Sequence, residues 1–310
     1  MNVFKVITST AFLFSIIRVT TPLLYGSLSS LMSELSGVSN IGIEGMMLTC
    51  ALTGVLSSAF FGANAGLGLL CAVFVGIALG LLLCFLITRL QTDAIITGIA
   101  YNLTASGLTV FLLYLAVGEK GISSSLVSGV LPSLEIPLLN KIPFVGAVLS
   151  GHNILTYVAI LLVVLISVFL YKTPLGLHIR GCGENPEALE SVGIHVSRIQ
   201  YIALAFSGAL AALGGAYMSM GYVSYFVKDM IAGRGFIAIA AASLGANRPL
   251  STMLVCLLFG AAEALAVNPT IQNMGVPTEL VSTIPYIVTI IVLVIYSCKK
   301  MNDRKRAAAA

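Results

Sequence analysis

Four charged residues interrupt long apolar stretches of this chain: Arg18, Glu44, Asp93 and Glu263. A charged side chain at the centre of a membrane helix costs roughly 2.5–3.5 kcal/mol on insertion scales. Each therefore marks a place where a partner, a cavity or a function offsets that cost. Glu44 sits in Asn40-Ile41-Gly42-Ile43-Glu44-Gly45. Glycines flank the acid and an amide precedes it. This pattern predicts a broken helix whose freed backbone groups face a cavity, an arrangement that transporters use to line a path. A structural ion pair, or an interfacial position near the start of its span, is the competing reading. Glu263, in Gly260-Ala261-Ala262-Glu263-Ala264, is open to the same alternatives. Asp93 reads most simply as an N-terminal helix residue favoured by the dipole. Tyr101 and Asn102 lie inside the apolar segment that follows Asp93. An aromatic beside an amide can stack on a nucleobase or sugar and hydrogen-bond its edge. A core tyrosine and a helix–helix asparagine explain the pair equally well.

A second chemical feature is the polar island Thr173–Arg198, with long apolar runs on both sides. At its centre Asn185-Pro186-Glu187 reads as a helix start: Asn as N-cap, Pro at the first helical position, an acid in the first turn. A short capped helix on an aqueous loop suits docking of a soluble partner, and it equally suits an ordinary solvated loop. Sites of other kinds have no support. There is no GxxxxGK[ST], so the chain does not itself hold ATP in a P-loop, and neither HExxH nor GxSxG occurs. His152, His178 and His195 fall in loops, and the six cysteines form no CxxC pair. A disulfide framework, a metal site and an intramembrane hydrolase are all disfavoured.

The elements that must position these residues are membrane helices. Of the 310 residues, 58% are hydrophobic and 9% charged, and the mean hydropathy is +1.03. A soluble domain carries roughly 25% charged residues. The composition predicts an all-α integral membrane protein. With about 20 apolar residues per crossing, spans are expected at 8–33, 40–60, 66–88, 92–117, 153–171, 199–221, 249–268 and 278–297. Segment 234–247 is shorter and rich in small residues, either a short span or a re-entrant helix. If 172–198 is cytoplasmic and 234–247 crosses, Arg89, Lys172, Arg180, Arg198, Arg248, Lys299, Lys300, Arg304, Lys305 and Arg306 lie inside. Lys5, Lys120, Lys141, Lys228 and Arg234 then lie outside. That bias has the positive-inside sign. It favours about nine spans, with the N-terminus outside and the C-terminus in the cytoplasm. The net charge of +4 comes from loops and tail, so it points to lipid and orientation rather than to nucleic acid.

This organisation gives one membrane domain, residues 1–297, and a basic cytoplasmic tail, 298–310, whose terminal alanines are left out of fold reasoning. Loop 118–152 is the long external one. Pro132, Pro137 and Pro143 are expected to prevent a helix there, and its apolar pieces suit a lid on the membrane surface. Gly76-xxx-Gly80, Gly208-xxx-Ala212 and Ala211-xxx-Gly215 are expected to be close-packing stripes rather than sites.

Three separated motifs carry a resemblance. Asn40–Met47, preceded by Gly37-Val38, resembles the signature of ABC importer permeases of the ribose and nucleoside class. It is most similar to the branch that works with basic-membrane-protein-type lipoproteins. Gly183–Ala188 followed by Ser191–Ile194 resembles that family's cytoplasmic coupling loop. Gly233–Ala240 through Gly245–Pro249 resembles its C-terminal signature. The resemblance spans about residues 20–297 and implies a permease that translocates nucleosides across a bacterial plasma membrane. ATP and Mg would belong to a separate Walker-A subunit, and this chain would carry no cofactor. A related second permease and a substrate-binding lipoprotein are the other implied partners. The helix Glu184, Asn185, Pro186, Glu187, Ala188, Leu189, Glu190, Val192, Gly193 would dock on the ATPase. Ala188, Leu189 and Val192 would supply its apolar contacts and Gly193 its C-terminal stop. Leu189 stands where the family's EAAxxxG pattern has a second Ala. Asn40, Gly42, Glu44, Gly45, Tyr101, Asn102, Phe236 and Glu263 would line the path. The rivals are the same class with ribose or another sugar as cargo, and an ion-coupled secondary transporter using Glu44 or Glu263.

Overall fold

The computed structural model describes residues 9–136 and 143–267, together with the isolated helical positions Ile287 and Val294. Seven helices in this part are long and apolar enough to cross a membrane. They are α1 (Thr10–Glu34), α2 (Ile43–Phe60), α3 (Ala65–Thr88), α4 (Ala94–Val117), α6 (Ile154–Lys172), α9 (Val196–Tyr217, continued by a π-turn to Tyr222) and α11 (Pro249–Val267). Four shorter helices complete the set: α5 (Pro143–Leu149), α7 (Pro174–Glu184), α8 (Pro186–Ser191) and α10 (Arg234–Leu244). The expected span 278–297 lies outside the described residues.

Local chemistry starts most of these helices. Ser9, Asn64, Asp93, Asn153, Thr173 and Asn185 each cap a helix by accepting from its first-turn N–H groups. Asp93 is thus a cap, as its position suggested. The core centres on α1, α2 and α9, with α10 and α11 packed on α1 and α3 packed on α9 and α2. Pro22 inside α1 leaves the Arg18 carbonyl without its helical donor. The Tyr217 hydroxyl supplies the missing hydrogen bond at 2.9 Å. The small-residue stripes do pack helices. A Cβ on Gly76 would stand 2.5 Å from the Gly208 carbonyl oxygen, so only glycine lets α3 and α9 approach this closely.

The loops gather on two opposite faces. On one, Ser123 donates to the Phe226 carbonyl, Lys228 to Gly121 and Leu131 to Met220, and the Gly129 N–H reaches Ser58 Oγ. On the other, the turn after α1, α7, and residues 246–251 enclose a cavity of about 550 Å³. A two-residue antiparallel ribbon, β1 (Ser133–Leu134) with β2 (His152–Asn153), braces the first face. Here expectation and structure differ. Helix α5 forms within the proline-rich loop because Pro143 is its first residue, where no intrahelical N–H is needed. His152 is buried, stacked on Phe14 at 4.0 Å. Burial holds its ring below the ordinary histidine range.

Segment 223–248 carries the chain from the first face to the second. It does so with an irregular half, 223–233, and the 11-residue α10. Eleven residues rise about 16 Å, half the hydrocarbon thickness. The crossing is therefore half loop and half helix rather than a continuous short span.

Candidate functional site

Two helices begin at mid-depth and their N-termini meet. Residues 35–42 climb back from the second face without helical structure, and α2 starts at Ile43. Gly26 gives the depth: the Cβ position there lies 2.8 Å from Ala238 and 3.8 Å from Ile43. Gly26 is eight residues from the end of α1, about 12 Å into the bundle. The predicted break in the helix is present, and α10 begins against it.

Glu44 joins the two ends. Its Oε1 accepts from the Gly233 N–H at 2.7 Å, and its Oε2 accepts from the Gly235 N–H at 2.6 Å. One carboxylate from the first turn of α2 thereby caps the first turn of α10, where the helix dipole favours negative charge. Asn102, on α4, holds the break from the other side. Its Oδ1 accepts from the Gly45 N–H at 2.8 Å and its Nδ2 donates to the Ile41 carbonyl at 3.0 Å. The expectation that free backbone groups face a cavity is corrected here. A buried peptide group must be paired, and Asn102 pairs two of them. Gly45 is where a Cβ would strike Ala105 and Asn102, and Gly42 lies under the Tyr101 ring. Tyr101 itself lines an apolar cleft of about 620 Å³ between α2, α3 and α4. Its hydroxyl is buried without a partner.

Asn40 is buried and donates to Ser207 Oγ at 3.1 Å. Ser207 also meets Ser29 at 2.9 Å. The tip of the break is thus pinned to α9 and α1. Phe236, in the first turn of α10, is exposed. Glu263, on α11, is buried and pairs with Arg234, which also donates to the Ile231 carbonyl at 3.1 Å. Arg234 is therefore an interior residue, not the external surface charge of the orientation count. A partner so far along the chain left no local signal. Both membrane acids have donors, which removes the vacancy an ion-coupling ligand needs. Among the described residues no group of three or more His, Cys, Asp or Glu is arranged to hold a metal.

Helix α8 stands on the second face with no buried residue. Asn185 Oδ1 accepts from the Ala188 N–H at 3.1 Å. Gly193, at φ +82°, closes the other end, and the Ile194 N–H reaches the Leu189 carbonyl at 3.0 Å. Glu187, Ala188, Glu190 and Val192 are exposed, and Glu184 makes a long 4.0 Å contact with Arg180. Leu189 departs from its expected role. It is half-buried and turned inward against Gly181, so Val192, 70% exposed, is the apolar group α8 presents. Cys182, two residues from Glu184, is buried, and that burial pushes its thiol up.

The profile of the family described as branched-chain amino acid transport system, permease component, matches residues 12–293. The chain belongs to that family. It is 33% identical over 280 residues to the guanosine ABC transporter permease protein NupQ of Bacillus subtilis, covering 88% of this chain and 87% of the relative. It is 31% identical over 314 residues to the nucleoside ABC transporter permease protein NupC of Lactococcus lactis, covering 98% and 96%. A Haloferax volcanii protein provisionally named as a glucose ABC transporter permease, TsgC13, is 31% identical over 300 residues, covering 89% and 88%. The permease is thus a multi-pass membrane transport component rather than an enzyme, and its family works with an ATP-binding subunit.

For this permease Glu44→Gln is an informative change. The shape is kept, but an amide N–H replaces one acceptor and must face a backbone N–H. Losing a charge-assisted hydrogen bond of about 1.5–3 kcal/mol predicts uptake lower by about ten- to a hundredfold. The inserted amount, read by immunoblot of membranes, should be unchanged. Full uptake would reduce Glu44 to a packing residue.

Proposed function

We propose that this chain is the membrane-spanning subunit of an ATP-binding-cassette importer for purine and pyrimidine nucleosides. The observation that carries the transport reading is the pairing of an exposed, self-capped helix on one face with two half-helices meeting at mid-depth. The nucleoside assignment is supported by the names of the Bacillus and Lactococcus relatives.

In this reading α8 is the cytoplasmic coupling helix and docks on the ATPase that holds ATP and Mg. The residues around Asn40, Gly42, Glu44, Gly45, Tyr101, Asn102, Phe236 and Glu263 line or support the path. A binding lipoprotein delivers cargo to the opposite, external face near 118–152 and 222–233. Its expected contact at 269–277 lies outside the described residues. A second, related permease completes the conduit. Nine crossings, an external N-terminus and a cytoplasmic C-terminus in a bacterial plasma membrane follow if 278–297 spans. ATP binding moves the docked helices, and the bundles rock to switch access.

Sugar is the second reading, favoured by the name of the Haloferax relative. An ion-coupled mechanism is disfavoured because Glu44 and Glu263 are already engaged. The test is uptake of labelled purine and pyrimidine nucleosides with the ATPase and binding lipoprotein co-expressed. Nucleosides are expected to accumulate only with an intact ATPase and to resist ribose competition. Displacement by ribose would reassign the cargo, and uptake surviving an inactive ATPase would end the ATP-driven reading.

A further inference from the structure

The stem of α8 touches the base of the mid-membrane break without any side chain between them. A Cβ on Gly183 would stand 2.5 Å from the Leu35 carbonyl oxygen and 3.1 Å from the Gly37 nitrogen. Gly37 answers from its own side. It has φ +79°, and its Cβ position is 3.4 Å from the Cys182 carbonyl oxygen and from Gly183 Cα. The contact is main chain on main chain. Side-chain rotamers can absorb a small displacement, whereas close-packed backbone passes it on.

What lies on each side gives this contact its meaning. Gly183 is two residues before Asn185, the N-cap of α8. Helix α7 is anchored in the bundle by buried Ile179 and Cys182. Gly37 is five residues before Gly42, the N-cap of α2, a reach of at most about 17 Å. Asn40 lies on that stretch and Glu44 just beyond it. Asn40 is tied to Ser207, and Glu44 to the start of α10. The turn at Gly37 is itself closed by hydrogen bonds, Gly37 N–H to the Glu34 carbonyl at 3.0 Å and Val38 N–H to Ser33 at 3.3 Å. A push on α8 therefore meets a short, stiff link that ends on both half-helices.

We propose that Gly37 and Gly183 are positioning residues, through which displacement of α8 reaches the Asn40–Glu44 break directly. The proposal rests on α8 being the ATPase-docking helix, and it adds the route by which docking acts on the path. Glycine is required at both positions because any side chain would separate the two backbones.

The test uses the full transporter with its ATPase and binding lipoprotein, and measures uptake and ATP hydrolysis separately. For Gly183→Ala, inserted amount, ATPase co-purification and hydrolysis are expected to persist. Nucleoside taken up per ATP should fall about tenfold, within the range seen for mutations along coupling routes. Gly181→Ala is the control, because its Cβ would meet only the flexible Leu189 side chain at 3.4 Å; its ratio should match wild type. If Gly183→Ala fails to assemble, Gly37→Asn takes its place, since Asn tolerates positive φ; its ratio should fall about threefold. A wild-type ratio in Gly183→Ala, or in Gly37→Asn where that variant is used, overturns the linkage alone when deletion of α8 still abolishes uptake. If the α8 deletion also transports normally, the docking reading fails with it.

Discussion

Arg234→Met alone is expected to destabilise the permease more than Arg234→Met combined with Glu263→Leu, although the double variant removes more polar atoms. The reason is where the two charges sit. Their side chains are 15% and 11% exposed, at the meeting point of α10 and α11. Removing the guanidinium leaves a carboxylate in a low-dielectric interior with one oxygen, Oε2, already unpartnered. Breaking a buried pair by removing one member costs about 3–5 kcal/mol, whereas apolar replacement of both is often neutral. The two carbonyls that Arg234 reaches, Met230 and Ile231, also lose a donor in both variants, so the double variant does not return fully to wild type. The measurement is thermal unfolding in detergent together with the amount inserted in membranes. The single variant should be depleted and melt lowest, and the double variant should recover most of the loss. Equal stability of the single variant and wild type would remove the pair from the list of supports for the start of α10.

How much of this was readable beforehand depends on how local the chemistry is. The break in α2 was readable because an acid, two glycines and an asparagine in one apolar run have no place in a continuous span. Both ends of α8 were readable because its caps are made by Asn185 and Gly193, within its own few residues. What those residues bond to was not readable. Glu44 is bound by N–H groups 189 and 191 positions away, and nothing in Gly233-Arg234-Gly235 marks them as an acid's partners. Asn102 suggested a ligand group by its composition, yet its amide is spent on Ile41 and Gly45. That choice is set by tertiary packing of α4 on the break, which no periodicity encodes. Arg234 was misplaced for a related reason. A charge count treats every loop arginine as solvated, while an ion pair with Glu263 lets one go inside. The inward turn of Leu189 likewise depends on Gly181, eight residues earlier, leaving room on α7.

The same local closure makes α8 a helix that can be removed cleanly. Deleting Pro186–Ser191 and joining the ends with glycine and serine takes away no buried residue. Surface changes of that kind shift stability by only about 0.5 kcal/mol, so the permease should insert and pack normally. If α8 is where the ATPase grips, uptake should nevertheless vanish and the ATPase should no longer co-purify. Val192→Ser is the milder version: it removes the exposed apolar contact while leaving Asn185 and Gly193 to hold the helix. It should weaken co-purification without abolishing insertion. Sidedness is checked at the same place. Cys182 cannot report it, because it is buried, but Ser191 is exposed. In a Cys298→Ser background, Ser191→Cys should react with a membrane-impermeant thiol reagent in inverted vesicles and stay protected in intact cells. Labelling from outside intact cells would put α8 on the face where no ATPase can reach it. Retained co-purification after the deletion would mean that the motor grips some other part of the second face.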